Sequence, residues 1–318
     1  MTTGFLWPEA CYLRDGAAGL RFASCAEVEA TLARMFPAGI PVLVSSARAG
    51  LGIALRHLRL NRGHRIAVAP YANHCVIEAV GRTSSPVDFT DPPTADAAVL
   101  YHQWGYINDG AAPAVLIEDA VDTLCRPGAG LFVRGGAYEL WSLPKLVGSL
   151  YGGVIWCRNQ DVAGELRMLR DQSCLWAPGH WLLRVAGTRS ATALAYWSGV
   201  ESTNGKMPAL AIGDIAARLR RWEQLVSDHA EKFRKLQAYR PEGLRILDHR
   251  LPCVVPVAVS ETQARRLTEL GISTGFRHFE RTNGGGRELL RLFPIPVHMD
   301  VSDATLAKAQ AVIDDART

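Results

Sequence analysis

The strongest constraint on the fold lies between Val42 and Cys157, where short apolar runs alternate with helical or turn-forming stretches. Val42-Leu43-Val44, Ile66–Ala69, Val87–Phe89, Ala97–Tyr101, Val115–Ile117, Ala137–Trp141 and Gly152–Cys157 read as strands. Ser45 to Gly52 opens a helix that runs to about Leu60, and Asn73 to Val80 forms a second. Strand, small polar turn and helix in repetition predict an α/β fold built on a seven-stranded, mostly parallel sheet with both faces covered. The last run follows its predecessor after only about ten residues, too few for the crossover a parallel neighbour needs, so it is expected to run antiparallel.

Elsewhere the pattern changes. Ala26–Met35 shows helical spacing ahead of the first strand, and beyond Cys157 the chain reads as a helix over Asp161–Arg170. Residues 173–206 are aromatic and loop-rich with no clear period, and Leu210–Tyr239 reads as one long helix crowded with Arg and Glu. A strand at Leu251–Val259, a helix at Glu261–Leu270, a strand at Leu289–Phe293 and a helix at Asp303–Ala316 complete an α+β segment. A chain of 318 residues, 48% apolar, supports one large core and a smaller one. The expected division is a large domain over residues 1–200 and a smaller α+β domain over 201–318.

Charge and cysteines narrow the function classes. The formal net charge is +4, and the basic residues are spread out except for Arg218, Arg220 and Arg221, which read as a solvated helix face rather than a nucleic-acid footprint. The seven cysteines (Cys11, Cys25, Cys75, Cys125, Cys157, Cys174 and Cys253) are odd in number and contain no CxxC pair, so neither a disulfide framework nor a metal site is expected. Residues 1–30 lack an apolar core of signal-peptide length, and no later run approaches membrane-spanning length. The expectation is a soluble cytoplasmic protein without a membrane or nucleic-acid partner.

The chemistry concentrates in Val115 to Ile155, which holds Asp119 directly after one strand run and Lys145 shortly after another. If both runs lie in a parallel sheet, the two residues leave it at the same carboxyl edge, the usual place for a cofactor in an open α/β sheet. The chain has only five lysines: Lys145, Lys206, Lys232, Lys235 and Lys308. Lys232, Lys235 and Lys308 fall on charged helices, and only Lys145 follows a core strand. In a chain that otherwise uses Arg, a lysine there points to an amine able to lose its proton, the alternative being a surface lysine in a turn. A Schiff-base lysine paired with a carboxylate for a pyridinium nitrogen is the signature of a pyridoxal phosphate site, and Asp119 could supply that carboxylate or simply cap the following helix. The Ser45–Gly50 turn offers hydroxyls and backbone N–H groups at a helix N-terminus, where a phosphate binds readily, although Ser is also an ordinary cap.

In order along the chain stand SSARAGLGIAL, VAPYANHCVIEAVG, YHQWG, VLIEDA, SLPK with GGVIW, and FPIPVH. Taken together they resemble the DegT/DnrJ/StrS-like sugar aminotransferases, over about Val42 to Trp156 and again over Leu251 to Ile313. The resemblance implies the fold type I architecture of pyridoxal 5'-phosphate (PLP) enzymes and a homodimer with sites at the subunit interface. It also implies amino transfer from glutamate to a keto sugar linked to a nucleotide. Carried over, it makes Lys145 the Schiff-base lysine and acid/base, Asp119 the partner of the pyridinium nitrogen, and Ser46, Ala47 and Ser142 the phosphate site. The ring-stacking position falls on Asn73, by an ungapped match, or on His74, whose imidazole stacks better and which could equally be a hydrogen-bonded, half-buried histidine.

The sequence also departs from that pattern. Asp122 stands where the family has a glutamine or similar neutral donor, close to where the cofactor's phenolic oxygen would lie. Two negative groups there, the carboxylate and that oxygen, repel unless one is protonated or turned away. Residues 173–206, with Trp176, His180, Trp181, Arg184, Arg189 and Trp197, do not match the family's usual stretch reaching the neighbour's site. Three readings follow: an aminotransferase, a related PLP-dependent lyase or dehydratase, and a divergent relative without catalysis. Retention of Lys145 argues against the sugar dehydratase branch, which typically has histidine there.

Overall fold

The computed structural model describes residues 6–8, 22–69, 72–89, 94–110, 112–172, 205–272, 275–283 and 286–315, with single positions 182, 186, 190 and 192 between. In the aromatic stretch singled out above, Trp176, His180, Trp181, Arg184, Arg189 and Trp197 lie outside the described residues.

Helix α1 (Cys25–Met35) opens with a capping box in which Ser24 and Glu27 satisfy each other's backbone N–H groups. Seven strands then build the main sheet: β1 (Ile40–Val44), β2 (Arg65–Val68), β3 (Ser85–Asp88), β4 (Ala97–Tyr101), β5 (Leu116–Asp119), β7 (Tyr138–Ser142) and β8 (Gly153–Cys157). Their spatial order is β1-β8-β7-β5-β4-β2-β3. All neighbouring pairs are parallel except those of β8, which runs antiparallel to both β7 and β1. Both the predicted α/β sheet and its one reversed strand are therefore present. Helix α2 (Ala47–His57) follows β1, and α3 (His74–Gly81) lies between β2 and β3. The short α4 (Leu143–Val147) leaves the end of β7, and α5 (Gln160–Gln172) follows β8.

The sequence's single helix over Leu210–Tyr239 is two in the structure, α6 (Ala209–Leu219) and α7 (Trp222–Leu236). Arg221 leaves helical geometry (φ −101°, ψ 12°), and the bend turns Trp222 into the core, where its indole N–H donates to the Cys125 carbonyl at 2.8 Å. Burial of an indole that also finds an acceptor outweighs one interrupted turn. Trp222 stacks on Trp141, and Phe36 meets the edges of Trp141 and Trp156.

The C-terminal part holds β9 (Arg250–Pro252), β10 (Val254–Val257), α8 (Glu261–Glu269), β11 (Arg277–Asn283), β12 (Gly286–Pro296) and α9 (Asp303–Asp314). Strands β10, β12 and β11 form an antiparallel sheet. Strand β11 escapes a reading by apolar runs because RHFERTN offers one large apolar side chain, Phe279, which packs against Trp104 and Tyr106. A further strand, β6 (Thr123–Cys125), pairs antiparallel with β9. That ladder, with the Cys253 N–H donating to the Asp122 carbonyl at 3.1 Å, fixes the turn that follows β5. Among the described residues no helix is long and apolar enough to cross a membrane.

Candidate active site

The carboxyl ends of β1, β4, β5 and β7 deliver the side chains around one cavity of about 360 Å³, within the usual size range of ligand pockets. Register explains the convergence: Tyr101, the last residue of β4, pairs with Asp119, the last of β5, and Asp119 pairs with Leu140 of β7. Two residues beyond Leu140, Ser142 ends β7 and begins α4, the helix that carries Lys145.

At one end of the cavity β1 gives way to Ser45, Ser46 and α2. The Ser46 hydroxyl caps this helix, accepting from the Ala49 N–H at 3.1 Å. Gly153 makes the arrangement possible: a Cβ there would lie 2.3 Å from the Ser46 carbonyl carbon and 2.4 Å from the Ala47 nitrogen. The start of α2 thus rests directly on the β8 backbone, with Arg48 also lining the cavity.

At the other end sit two buried acids. Asp119 is 5% exposed, and its carboxylate accepts one long bond from the Val121 N–H, at 3.4 Å. Burial pushes its pKa up to about 7; nearby Lys145 opposes the shift and Asp122 adds to it. Asp122 is fully buried and well supplied. Its Oδ1 accepts from the Trp7 indole N–H at 2.8 Å and from Lys145 Nζ at 2.9 Å, while Oδ2 accepts from the Tyr101 hydroxyl. Asp122 is thus held by three donors, while the neighbouring Asp119 gains proton affinity.

Lys145 therefore faces the cavity. Its side chain is 30% exposed, and Nζ lies 4.4 Å from the centre of the Trp7 ring. Burial favours the neutral amine, but the charge and hydrogen bond of Asp122, then Asp119, outweigh it and hold the pKa above the ordinary lysine value. Asn73 lines the cavity and caps α3, accepting from the Cys75 N–H at 3.3 Å; the adjacent His74 is exposed and is not part of the lining. Ser46, Ala47, Asn73, Asp119, Ser142 and Lys145 thus surround one space, with Asp122 directly behind the amine. Lys206 is exposed and stands apart.

Several lining residues were not anticipated: Trp7, Arg48, Cys75 and Tyr101. Tyr101 was within reach of sequence reasoning, since it ends a strand at the productive edge. Trp7 gave no such signal, lying in a segment without periodicity.

A family model described as "Putative PLP-dependent aminotransferase" matches residues 28–316. The chain belongs to this PLP-dependent aminotransferase family. Its fold is shared with the aminotransferase TlmJ from Streptoalloteichus hindustanus (17% identity, 99% of this chain and 100% of that one, TM-score 0.67). It is shared equally with the sugar aminotransferase CalS13 from Micromonospora echinospora (19%, 99% and 100%, TM-score 0.66). A DegT DnrJ EryC1 StrS aminotransferase from Brucella abortus is similar as well (13%, 96% and 96%, TM-score 0.62). Among curated proteins none matches the sequence. The cavity of this aminotransferase fits its cofactor on physical grounds. A buried, poorly hydrogen-bonded carboxylate suits a cationic ring N–H, an amine stands nearby, and a helix N-terminus suits a phosphate.

Proposed function

We propose that this PLP-dependent aminotransferase moves an amino group from glutamate to a keto sugar carried on a nucleotide, acting as a cytoplasmic homodimer with sites at the subunit interface. The observation that carries the reading is the delivery of Asp119 and Lys145 by neighbouring parallel strands to one cavity, with the start of α2 on the same space. The sugar acceptor is supported by the fold shared with CalS13, itself described as a sugar aminotransferase. Free cysteines at 25, 75, 125, 157 and 253 support a reducing compartment. Residues 1–200 are taken as the cofactor-binding domain and 201–318 as the smaller one.

Bound PLP supplies an electron sink for the carbon that loses its proton and carries the amino group between two half-reactions. Asp119 pairs with the ring nitrogen, which gives its under-bonded carboxylate a charged donor. Ser46, Ala47 and Ser142 hold the phosphate at the N-terminus of α2. Of Asn73 and His74, Asn73 takes the ring face because it lines the cavity. Asp122 would lie beside the phenolic oxygen, and Lys145 Nζ would take the proton from the donor's α-carbon as general base and return it as general acid.

The purified protein is expected to be yellow, with borohydride fixing the chromophore on Lys145. Glutamate alone should discharge the colour in a single half-turnover, and a nucleotide-linked keto sugar should restore it. Lys145→Ala should slow transfer by roughly 10²–10⁴-fold or more. If no amino donor discharges the colour, amino transfer by this chain is refuted; if simple keto acids restore it and keto sugars do not, the acceptor assignment fails.

A further inference from the structure

The reading above gives Lys145 and Asp119 tasks but gives Asp122 only a place. A carboxylate with no solvent exposure is costly unless it is paired and hydrogen-bonded. Asp122 has three donors, and two of them, the Trp7 indole and the Tyr101 phenol, are neutral. Burial and the Asp122 charge both push the Tyr101 proton affinity up, so that hydroxyl stays a donor. The balancing positive charge is Lys145, at 2.9 Å. Trp7 closes the arrangement from above, since the ring that donates to Asp122 also presents its face to the ammonium.

We propose that Asp122 is the counter-ion of Lys145, a positioning residue that keeps Nζ protonated and parked between its own carboxylate and the Trp7 ring whenever the amine is not engaged with the cofactor. The inference rests on the reading of Lys145 as the amine that meets PLP, and it assigns the acid behind that amine a task of its own. Other groups facing Nζ are weaker counter-ions. Asp119, from β5, is itself drawn toward protonation. Cys75, from α3, and Cys253, between β9 and β10, are thiols that burial holds neutral. His229 of α7 and His298, after β12, line the small cavity on the far side of the lysine, and burial keeps His229 neutral, with its pKa pushed down to about 4.

The consequence is a pair of opposite effects that a purely structural role does not produce. Removing the charge with Asp122→Asn should make Lys145 easier to deprotonate. Tyr101→Phe removes a donor that draws charge away from Asp122, so it should make Lys145 harder to deprotonate.

The measurement is acylation of lysines by acetic anhydride across pH in the full-length protein freed of cofactor, read by peptide mass spectrometry, with exposed Lys308 as internal reference. For D122N the half-reactive pH of Lys145 should fall by about one unit or more, roughly a tenfold gain in reactivity at neutral pH. For Y101F it should rise. A D122N profile superimposed on the wild type, or displaced upward, overturns the proposal. Should D122N fail to fold, Y101F decides: a rise supports the counter-ion, and no change or a fall refutes it. Uptake of PLP is scored separately on the same samples by the yellow chromophore. Lysine shifts without uptake keep the counter-ion and sink the proposed function; uptake without shifts does the reverse.

Discussion

Glu118 and Glu139 stand directly opposite each other on β5 and β7, one residue before Asp119 and Leu140, and the molecule treats the two glutamates and the two site aspartates differently. Both glutamates are fully buried. Glu118 accepts from the backbone N–H groups of Gly136 (2.7 Å) and Arg134 (3.1 Å), and it also pairs with His102 at 3.1 Å. Burial raises its pKa, but the His102 hydrogen bond and charge and the two N–H groups more than reverse this, leaving it lowered. Glu139 accepts from the Phe132 N–H (2.6 Å), the Trp141 indole (2.7 Å) and Arg250 (2.9 Å). Backbone and bulky anchored side chains cannot leave. Asp119 has one long bond from a backbone N–H and Asp122 takes its only cationic donor from Lys145, so one of these acids is under-bonded and the other shares a partner that chemistry can remove. Incomplete or removable hydrogen bonding, rather than burial, separates the two aspartates at the cavity from the two structural glutamates.

The largest expected test of this contrast is Arg250→Ala. It strips Glu139 of its cation and should cost about 3–5 kcal/mol of unfolding free energy, because an uncompensated charge stays buried. Urea unfolding of the cofactor-free protein measures it. A loss below about 1 kcal/mol would mean that Glu139 is not held as a charge and would break the comparison.

Asp119 should behave in the opposite sense. Its folded pKa, about 7, lies above the unfolded carboxylate value, so the folded state binds more protons between those two values. Its contribution to stability therefore declines as pH rises from about 4 to about 7, by on the order of 4 kcal/mol in all. The difference between wild type and Asp119→Asn, followed by urea unfolding across that window, isolates this term from the titration of His229 and Glu118. The variant should gain on the wild type as pH rises; a flat or reversed difference would place Asp119 with the structural acids. Glu118 has the reverse sign: its lowered pKa gives stability that is present above the unfolded value and lost as pH falls through the folded one.

This contrast was only half legible in the sequence. Seven short apolar runs and the spacing between them were enough for the main sheet and its reversed last strand, because buried parallel strands leave little room for polar residues. The same logic put Asp119 and Lys145 at one edge. It could not rank Glu118 against Asp119, adjacent acids in a single run, because their fates depend on the loop through Arg134 and Gly136 and on His102. Nor could it find Trp7, whose place over Lys145 is fixed by contacts 115 and more positions away. The bend at Arg221 was hidden too, with neither Gly nor Pro to mark it, because a buried indole supplies its cause.

The smallest effect sharpens the comparison at the end of the cavity proposed to hold a phosphate, where a serine has two available tasks. Ser46 caps α2 as Ser260 caps α8, each accepting from a backbone N–H three residues on, at 3.1 and 3.2 Å. Replacing either by Ala should cost about 1 kcal/mol in the cofactor-free chain, the usual worth of an N-cap. PLP separates them. At Ser260 the loss should be the same with and without cofactor, since that helix lies away from the cavity. At Ser46 the loss should grow on loading, seen as a weaker PLP dissociation constant, because a ligand that binds only the folded chain adds its own binding free energy to stability. Equal losses at both serines would reduce Ser46 to a cap, leaving the α2 backbone N–H groups, Ser142 and Arg48 as the anion's partners in the cavity.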